Sequence, residues 1–198
     1  MRVVGGSARG RKLVSPHKKA EVRPTLDRVK ESVFSSIQHL VPESTVIDLY
    51  AGAGTLGIEA LSRYADKAYF VDCSTEQIQL VKKNLQITGF ERRAELICQH
   101  VETAIRYLNL NEVSGDIIFL DPPYGTKLAE KTLTWIDQSR ILAVEGIIIV
   151  EHDINEILPD HFQQIECYKD KKYGTTRISF YQLREEQENE KSHLSRQL

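Results

Sequence analysis

Val46-Ile47-Asp48-Leu49-Tyr50-Ala51-Gly52-Ala53-Gly54-Thr55-Leu56-Gly57 is the stretch on which the fold turns. A β-branched run leads into Gly52-x-Gly54-x-x-Gly57, a spacing that turns the backbone tightly at the carboxyl end of a strand. It also lets a ligand approach the N-terminus of the following helix. Working outward, strands are predicted at 45–49, 67–71, 94–99, 116–120 and 146–151. Helices are predicted between them at 55–63, 74–87, 101–108 and 128–136. Ser74-x-x-Gln77 opens the second of these helices as a capping box, with Ile78, Val81 and Leu85 on its apolar face. Strand and helix alternating four times imply right-handed crossovers and a doubly wound, mostly parallel α/β sheet.

The two ends read differently. Phe162–Lys169 and Thr175–Leu183 flank Lys171-Lys172-Tyr173-Gly174, which predicts a C-terminal antiparallel hairpin. Arg2–Val4 and Arg11–Val14 flank a glycine-rich turn, which predicts a small N-terminal β-ribbon. A helix then begins at Pro24-Thr25, with Thr25 as N-cap and Leu26, Val29, Val33 and Ile37 as its apolar face. The expected division is a basic extension over 1–40, a main domain over 41–184 and a polar tail over 185–198.

Of 198 residues, 41% are hydrophobic and 27% charged, which excludes wholesale disorder and fibrous repeats. The apolar runs are too short to span a bilayer, and no apolar segment follows the N-terminal arginines as in a signal peptide. Three widely spaced cysteines without a CxxC pair argue against a disulfide framework or a zinc site, and fit a reducing cytoplasm. The net charge of −2 conceals an asymmetry, since residues 1–30 carry +7 and the remainder −9. A basic arm on an acidic body suits a polyanion-binding appendage; a merely solvated terminus is the plainer alternative.

Asp72 closes the second strand twenty residues after Gly52, where a carboxylate can accept both ribose hydroxyl protons. Nicotinamide dinucleotides and S-adenosylmethionine both fit such a frame. Asp48 favours the second, because a charge near the end of a buried strand needs a cation or hydrogen-bond donors, and the methionine moiety carries an ammonium. The alternative for Asp48 is a strand-end acid capping backbone amides. The fourth strand ends in Asp121-Pro122-Pro123-Tyr124, at the carboxyl edge that borders the ligand crevice. Asp121 and the Pro122 carbonyl can each accept one N–H of an exocyclic nucleobase amine, aiming its lone pair at an electrophilic methyl. The prolines stiffen that pair, and Tyr124 can stack on the base. Two prolines that only end a strand are the bland alternative.

Gly52-x-Gly54 followed by Asp-Pro-Pro-Tyr resembles the amino-methyltransferases that modify exocyclic nitrogens. Arg2-Val3-Val4-Gly5-Gly6 with Gly10-Arg11-Lys12-Leu13, Arg23-Pro24-Thr25-x-Asp27-Arg28-Val29-Lys30-Glu31, and Tyr173-Gly174-x-Thr176 are similar to the RsmD family. That family methylates the N2 of a guanine in bacterial small-subunit (16S) ribosomal RNA. The resemblance spans about residues 1–183 and implies a seven-stranded Rossmann-like class I methyltransferase that uses S-adenosylmethionine. It further implies Asp48, Tyr50, Gly52, Gly54 and Asp72 at the cofactor, with the adenine contact falling at His100-Val101-Glu102 and the Val101 backbone a candidate. Asp121 to Tyr124 match the catalytic motif, without a metal. Arg9, Arg11, Lys12, Arg23, Thr25, Arg28, Lys30 and Tyr173 are expected to face ribosomal RNA or an assembling 30S particle; Arg23 can instead fix its helix to the sheet. A DNA adenine-N6 methyltransferase would use the same motif, but no separate target-recognition domain is apparent. An NAD-dependent oxidoreductase leaves Asp48, Asp121 and the basic arm unexplained, and a non-catalytic nucleic-acid-binding module leaves the acceptor motif without purpose.

Overall fold

The chain runs α1 (Pro24–Ser36), β1 (Thr45–Asp48), α2 (Thr55–Ser62), β2 (Lys67–Asp72), α3 (Thr75–Thr88), β3 (Ala94–Cys98) and α4 (Val101–Leu110). It continues through β4 (Gly115–Leu120), α5 (Leu128–Asp137), β5 (Leu142–Asp153), β6 (Ile165–Tyr173) and β7 (Thr176–Leu183). This computed structural model describes residues 1–15 and 24–184, with the side chains of 24–26 left aside; Arg23 and the tail over 185–198 lie outside the described residues. The seven strands form one sheet in the order β3-β2-β1-β4-β5-β7-β6. The first five are parallel, β7 pairs antiparallel with β5, and β6 pairs antiparallel with β7. The order reverses at β1, so β1 and β4 part towards opposite edges and open a crevice beyond their carboxyl ends.

Side-chain alternation along the parallel strands builds two cores, because successive residues of a strand face opposite sides of the sheet. Val46, Phe70, Ile117, Phe119 and Ile149 pack under α1, α2 and α3, while Ile47, Val71, Ile118, Leu120 and Val150 pack under α4 and α5. Asp48 belongs by this parity to the α1–α3 side. Gly57 lets α2 sit directly on β2, since a Cβ there would collide with the Phe70 ring. No described helix is long and apolar enough to cross a membrane.

The expected N-terminal ribbon is present as a short hairpin: Arg2 bridges Lys12, Val3 N–H donates to the Arg11 carbonyl at 3.0 Å, Leu13 N–H to the Met1 carbonyl at 3.0 Å and Gly10 N–H to the Val3 carbonyl at 2.9 Å. Side chains of the main domain fasten this hairpin in place. Glu59 accepts the Val4 N–H at 2.8 Å, Ser62 accepts from Ala8 at 2.9 Å and donates to the Gly5 carbonyl at 2.6 Å, and Asn84 accepts from Val14 at 2.7 Å. Lys171–Tyr173, expected as a turn, is the end of β6, an edge strand whose charged side chains reach solvent; Gly174 and Thr175 make the turn, with Gly174 at φ 61°. Thr25 falls inside α1, which begins at Pro24, and so does not cap it.

Candidate active site

A crevice of about 810 Å³ opens beyond β1 and β4, within the range of small-molecule sites. Its floor is the glycine loop. Gly54 caps α2 in the left-handed region, at φ 77°, which a side chain adopts only under strain. Asp72 ties this loop down from the neighbouring strand: Oδ2 accepts the Gly52 N–H at 3.0 Å and Oδ1 the Ser74 N–H at 2.9 Å. Tyr50, Gly52, Asp72 and Val101, all expected at the cofactor, line the crevice, as do His100 and Glu102. Tyr50 is steadied by its hydroxyl, 2.6 Å from Thr132 Oγ1.

Asp48 stands one layer back, buried behind the crevice wall. Its Oδ2 accepts the Gly57 N–H at 3.2 Å, while Oδ1 is buried with no partner among the described residues. The amide-capping alternative is thus realised for one oxygen and leaves the other unsatisfied. Burial pushes this carboxyl up to about 7, with the charge of Asp72 adding to the rise. Gln77 adds a second unsatisfied oxygen. Ser74 caps α3 and accepts the Gln77 N–H at 3.4 Å, but the reciprocal half of the capping box is not made; Gln77 lines the crevice instead, its buried Oε1 unpartnered among the described residues. Buried polar groups without partners are rare, and two flanking one crevice fit a ligand rich in donors.

Asp121, Pro122, Pro123 and Tyr124 form the opposite wall. The Asp121 carboxyl is open to the crevice, yet the surrounding protein raises it well above the usual carboxylate range, followed by repulsion from Glu151 and then Asp48. Thr126 Oγ1 donates to the Pro123 carbonyl at 2.6 Å and braces the turn that follows the prolines. Tyr124 is half exposed; its hydroxyl donates to Glu151 Oε1 at 3.1 Å and lies 3.2 Å from Thr176 Oγ1. Burial and these acidic neighbours lift that hydroxyl to about 12, so it remains a donor. Leu128 and Trp135 add apolar wall.

Among the basic side chains expected on the nucleic-acid face, Arg9, Arg11, Lys12 and Arg28 are exposed. Lys30 requires correction: it is buried, its ammonium 2.7 Å from the Arg2 carbonyl and 3.4 Å from Glu59 Oε2, so it braces the N-terminal segment rather than reaching solvent. Tyr173 is half-buried, its hydroxyl 2.6 Å from Ser32 Oγ, which pins the hairpin end to α1. Arg23 and the Thr25 side chain lie outside the described residues. Sequence reasoning missed Gln77 and Glu151. Gln77 carried a signal, a polar residue one turn after the acid that closes β2, but it was assigned to capping.

A seven-stranded sheet in this order, with a glycine loop after β1, an acid at the end of β2 and Asp-Pro-Pro-Tyr after β4, defines a Rossmann-like class I methyltransferase. The chain belongs to the family described as "Conserved hypothetical protein 95", the RsmD family, which it matches over residues 1–182. It is 37% identical over 184 residues to YlbH of Bacillus subtilis (strain 168), covering 93% of this chain and 100% of that one. It is 32% identical over 182 residues to Ribosomal RNA small subunit methyltransferase D of Escherichia coli (strain K12), covering 92% of this chain and 89% of that one. The solved structure of yhhF from Escherichia coli superposes with a TM-score of 0.81 at 30% identity, covering 92% of this chain and 97% of that one.

Proposed function

We propose that the protein transfers a methyl group from S-adenosylmethionine to the exocyclic N2 amine of a guanine in small-subunit ribosomal RNA. The observation that carries this reading is that Asp121-Pro122-Pro123-Tyr124 faces the glycine loop and Asp72 across one crevice. The ligand supplies an electrophilic methyl on a sulfonium, together with an ammonium and two ribose hydroxyls. The protein offers matching acceptors: Asp72 on the wall, the unsatisfied Gln77 Oε1, and the buried charge of Asp48 behind the loop. A dinucleotide fits worse, because its pyrophosphate would approach walls that already carry Asp72 and Asp121, with Asp48 buried behind them.

Asp121 and the Pro122 carbonyl hold the two amine hydrogens, so the nitrogen lone pair points along the methyl–sulfur axis. Nitrogen attacks, the carbon–sulfur pair returns to sulfur, and the charge gained by the amine lies against the Asp121 carboxylate. The methylated amine then releases its proton to water, with no general base. Tyr124, its hydroxyl anchored at Glu151, offers its ring to the extruded base. The exposed Arg9, Arg11, Lys12 and Arg28 hold phosphates.

The test is incubation with tritiated S-adenosylmethionine and small-subunit RNA or particles from cells lacking the enzyme, followed by nucleoside analysis. Label in N2-methylguanosine at one site supports the reading. No label in RNA, with label entering N6-methyladenine in a parallel incubation with DNA, replaces it with the adenine alternative.

A further inference from the structure

One carboxylate beside the catalytic segment has so far served only to hold Tyr124. β4 and β5 are in parallel register through Leu120 and Val150, so the next residues, Asp121 and Glu151, stand side by side on the same face. Glu151 Oε1 receives the Tyr124 hydroxyl at 3.1 Å, and Oε2 has no hydrogen bond or ion pair among the described residues. Neither acid is paired with a Lys or Arg among those residues. Their mutual repulsion contributes to raising the Asp121 carboxyl. Two unpaired carboxylates side by side are unfavourable until two donors arrive together.

The bases carrying an exocyclic amine differ at the ring nitrogen beside it. Guanine presents N1–H next to its amine, two donors in a row, whereas adenine and cytosine present a ring acceptor there. We propose that Glu151 is the specificity-determining residue of this site: Asp121 accepts from the amine while the free oxygen of Glu151 accepts the adjacent ring N–H. An adenine or cytosine would turn a lone pair towards that oxygen, so one residue both attracts guanine and rejects the alternatives. The inference rests on the amine-methyltransferase reading and supplies a reason internal to the site for guanine.

2-Aminopurine keeps the exocyclic amine but carries a ring acceptor in place of N1–H. It also lacks the 6-oxo group, a difference common to both enzymes, so the change in discrimination between wild type and variant reads the contact. The substrate RNA is prepared with guanine or 2-aminopurine at the labelled position, and kcat/KM is measured over a pH series extending into the alkaline range, because burial raises both carboxyls. Wild-type enzyme is expected to favour guanine by about 100-fold or more, as sites built around a buried polar contact do. Glu151→Gln, whose amide can donate to the ring acceptor, is expected to narrow that ratio to within about tenfold. A role limited to holding Tyr124 would lower both substrates together and leave the ratio unmoved. Equal use of both bases by the wild type, or undiminished discrimination by the variant, overturns the inference. Because the first of these needs no variant, a failure of Glu151→Gln to fold does not shield it. Wild-type enzyme that methylates no guanine in RNA overturns the functional reading, and this inference with it.

Discussion

Replacing Asp48 by Asn should make the ligand-free protein more stable and the ligand-binding protein worse. Asp48 is 1% exposed, one of its oxygens has no partner among the described residues, and its carboxyl is raised from 3.8 to about 7. Between those two values the folded chain holds a proton that the unfolded chain has released. Stability is therefore fully present below the ordinary carboxylate value and is lost as pH rises through about 7. At about 1.4 kcal/mol per pH unit the gap amounts to roughly 4 kcal/mol of destabilisation by Asp48 under mildly alkaline conditions. Asn cannot ionise, but its amide N–H2 is left without an acceptor, a penalty of about 1–3 kcal/mol that offsets part of the gain. The net expectation is stabilisation by about 1–3 kcal/mol at about pH 8, shrinking or reversing towards about pH 5. Urea unfolding of both proteins at the two pH values measures it. Calorimetric titration with S-adenosylhomocysteine, which retains the ammonium, should show affinity reduced about tenfold or more by loss of the facing charge. A variant less stable than wild type at about pH 8 with unchanged binding would refute the reasoning, leaving Asp48 as a cap for the Gly57 amide alone.

Asp121→Ala should leave the melting-temperature rise with S-adenosylhomocysteine intact while lowering methyl transfer by about 100-fold or more, as removal of an electrostatic partner to a developing charge does; an active variant would sink the mechanism. Glu59→Ala removes a fully buried carboxylate that meets Arg63 at 2.8 Å and Lys30 at 3.4 Å, and should cost about 3–5 kcal/mol in denaturant unfolding. Faster hydrogen exchange at the Val4 amide, whose acceptor is lost, should accompany it. Arg9→Ala with Lys12→Ala should weaken RNA binding and flatten its salt dependence by about two phosphate contacts without moving the melting temperature, because both side chains are exposed. An unchanged salt slope would remove these two from the RNA face.

What was legible in the sequence follows from whether the cause of a feature is local. The glycine loop, the Ser74 cap and the strand–helix alternation depend on neighbours in the chain, and the observed β1 to α5 fall where periodicity put them. Lys171–Tyr173 looked like a turn because three polar residues preceded a glycine, yet an edge strand tolerates such residues, and charge cannot distinguish the two. Lys30 is expected on the RNA face because it falls in a run of basic residues; its partner Glu59 lies in the otherwise apolar Ile58-Glu59-Ala60-Leu61. A lone acid on a buried helix signals a hidden cation but does not say which one. Glu151 required the β4–β5 register, which no local pattern contains.

Glu59 and Asp48 together show how buried acids divide by purpose. Both are nearly inaccessible and both accept a backbone N–H, Val4 for Glu59 and Gly57 for Asp48. Glu59 has two cations beside it, so its charge is neutralised within the chain and fastens the N-terminal segment to α2. Asp48 has none among the described residues, and its nearest charged neighbours include Asp72 and Asp121, which share its sign. A fold gains nothing from that arrangement on its own, since an isolated buried charge is unfavourable and like charges add to the penalty. The expense becomes intelligible if the compensating groups arrive from outside: an ammonium and sulfonium from the methyl donor, and two N–H groups from the base. On this view the crevice is destabilised when empty in proportion to the charge it is built to receive, and the stabilising effect of Asp48→Asn and the selectivity lost in Glu151→Gln are two readings of one electrostatic design.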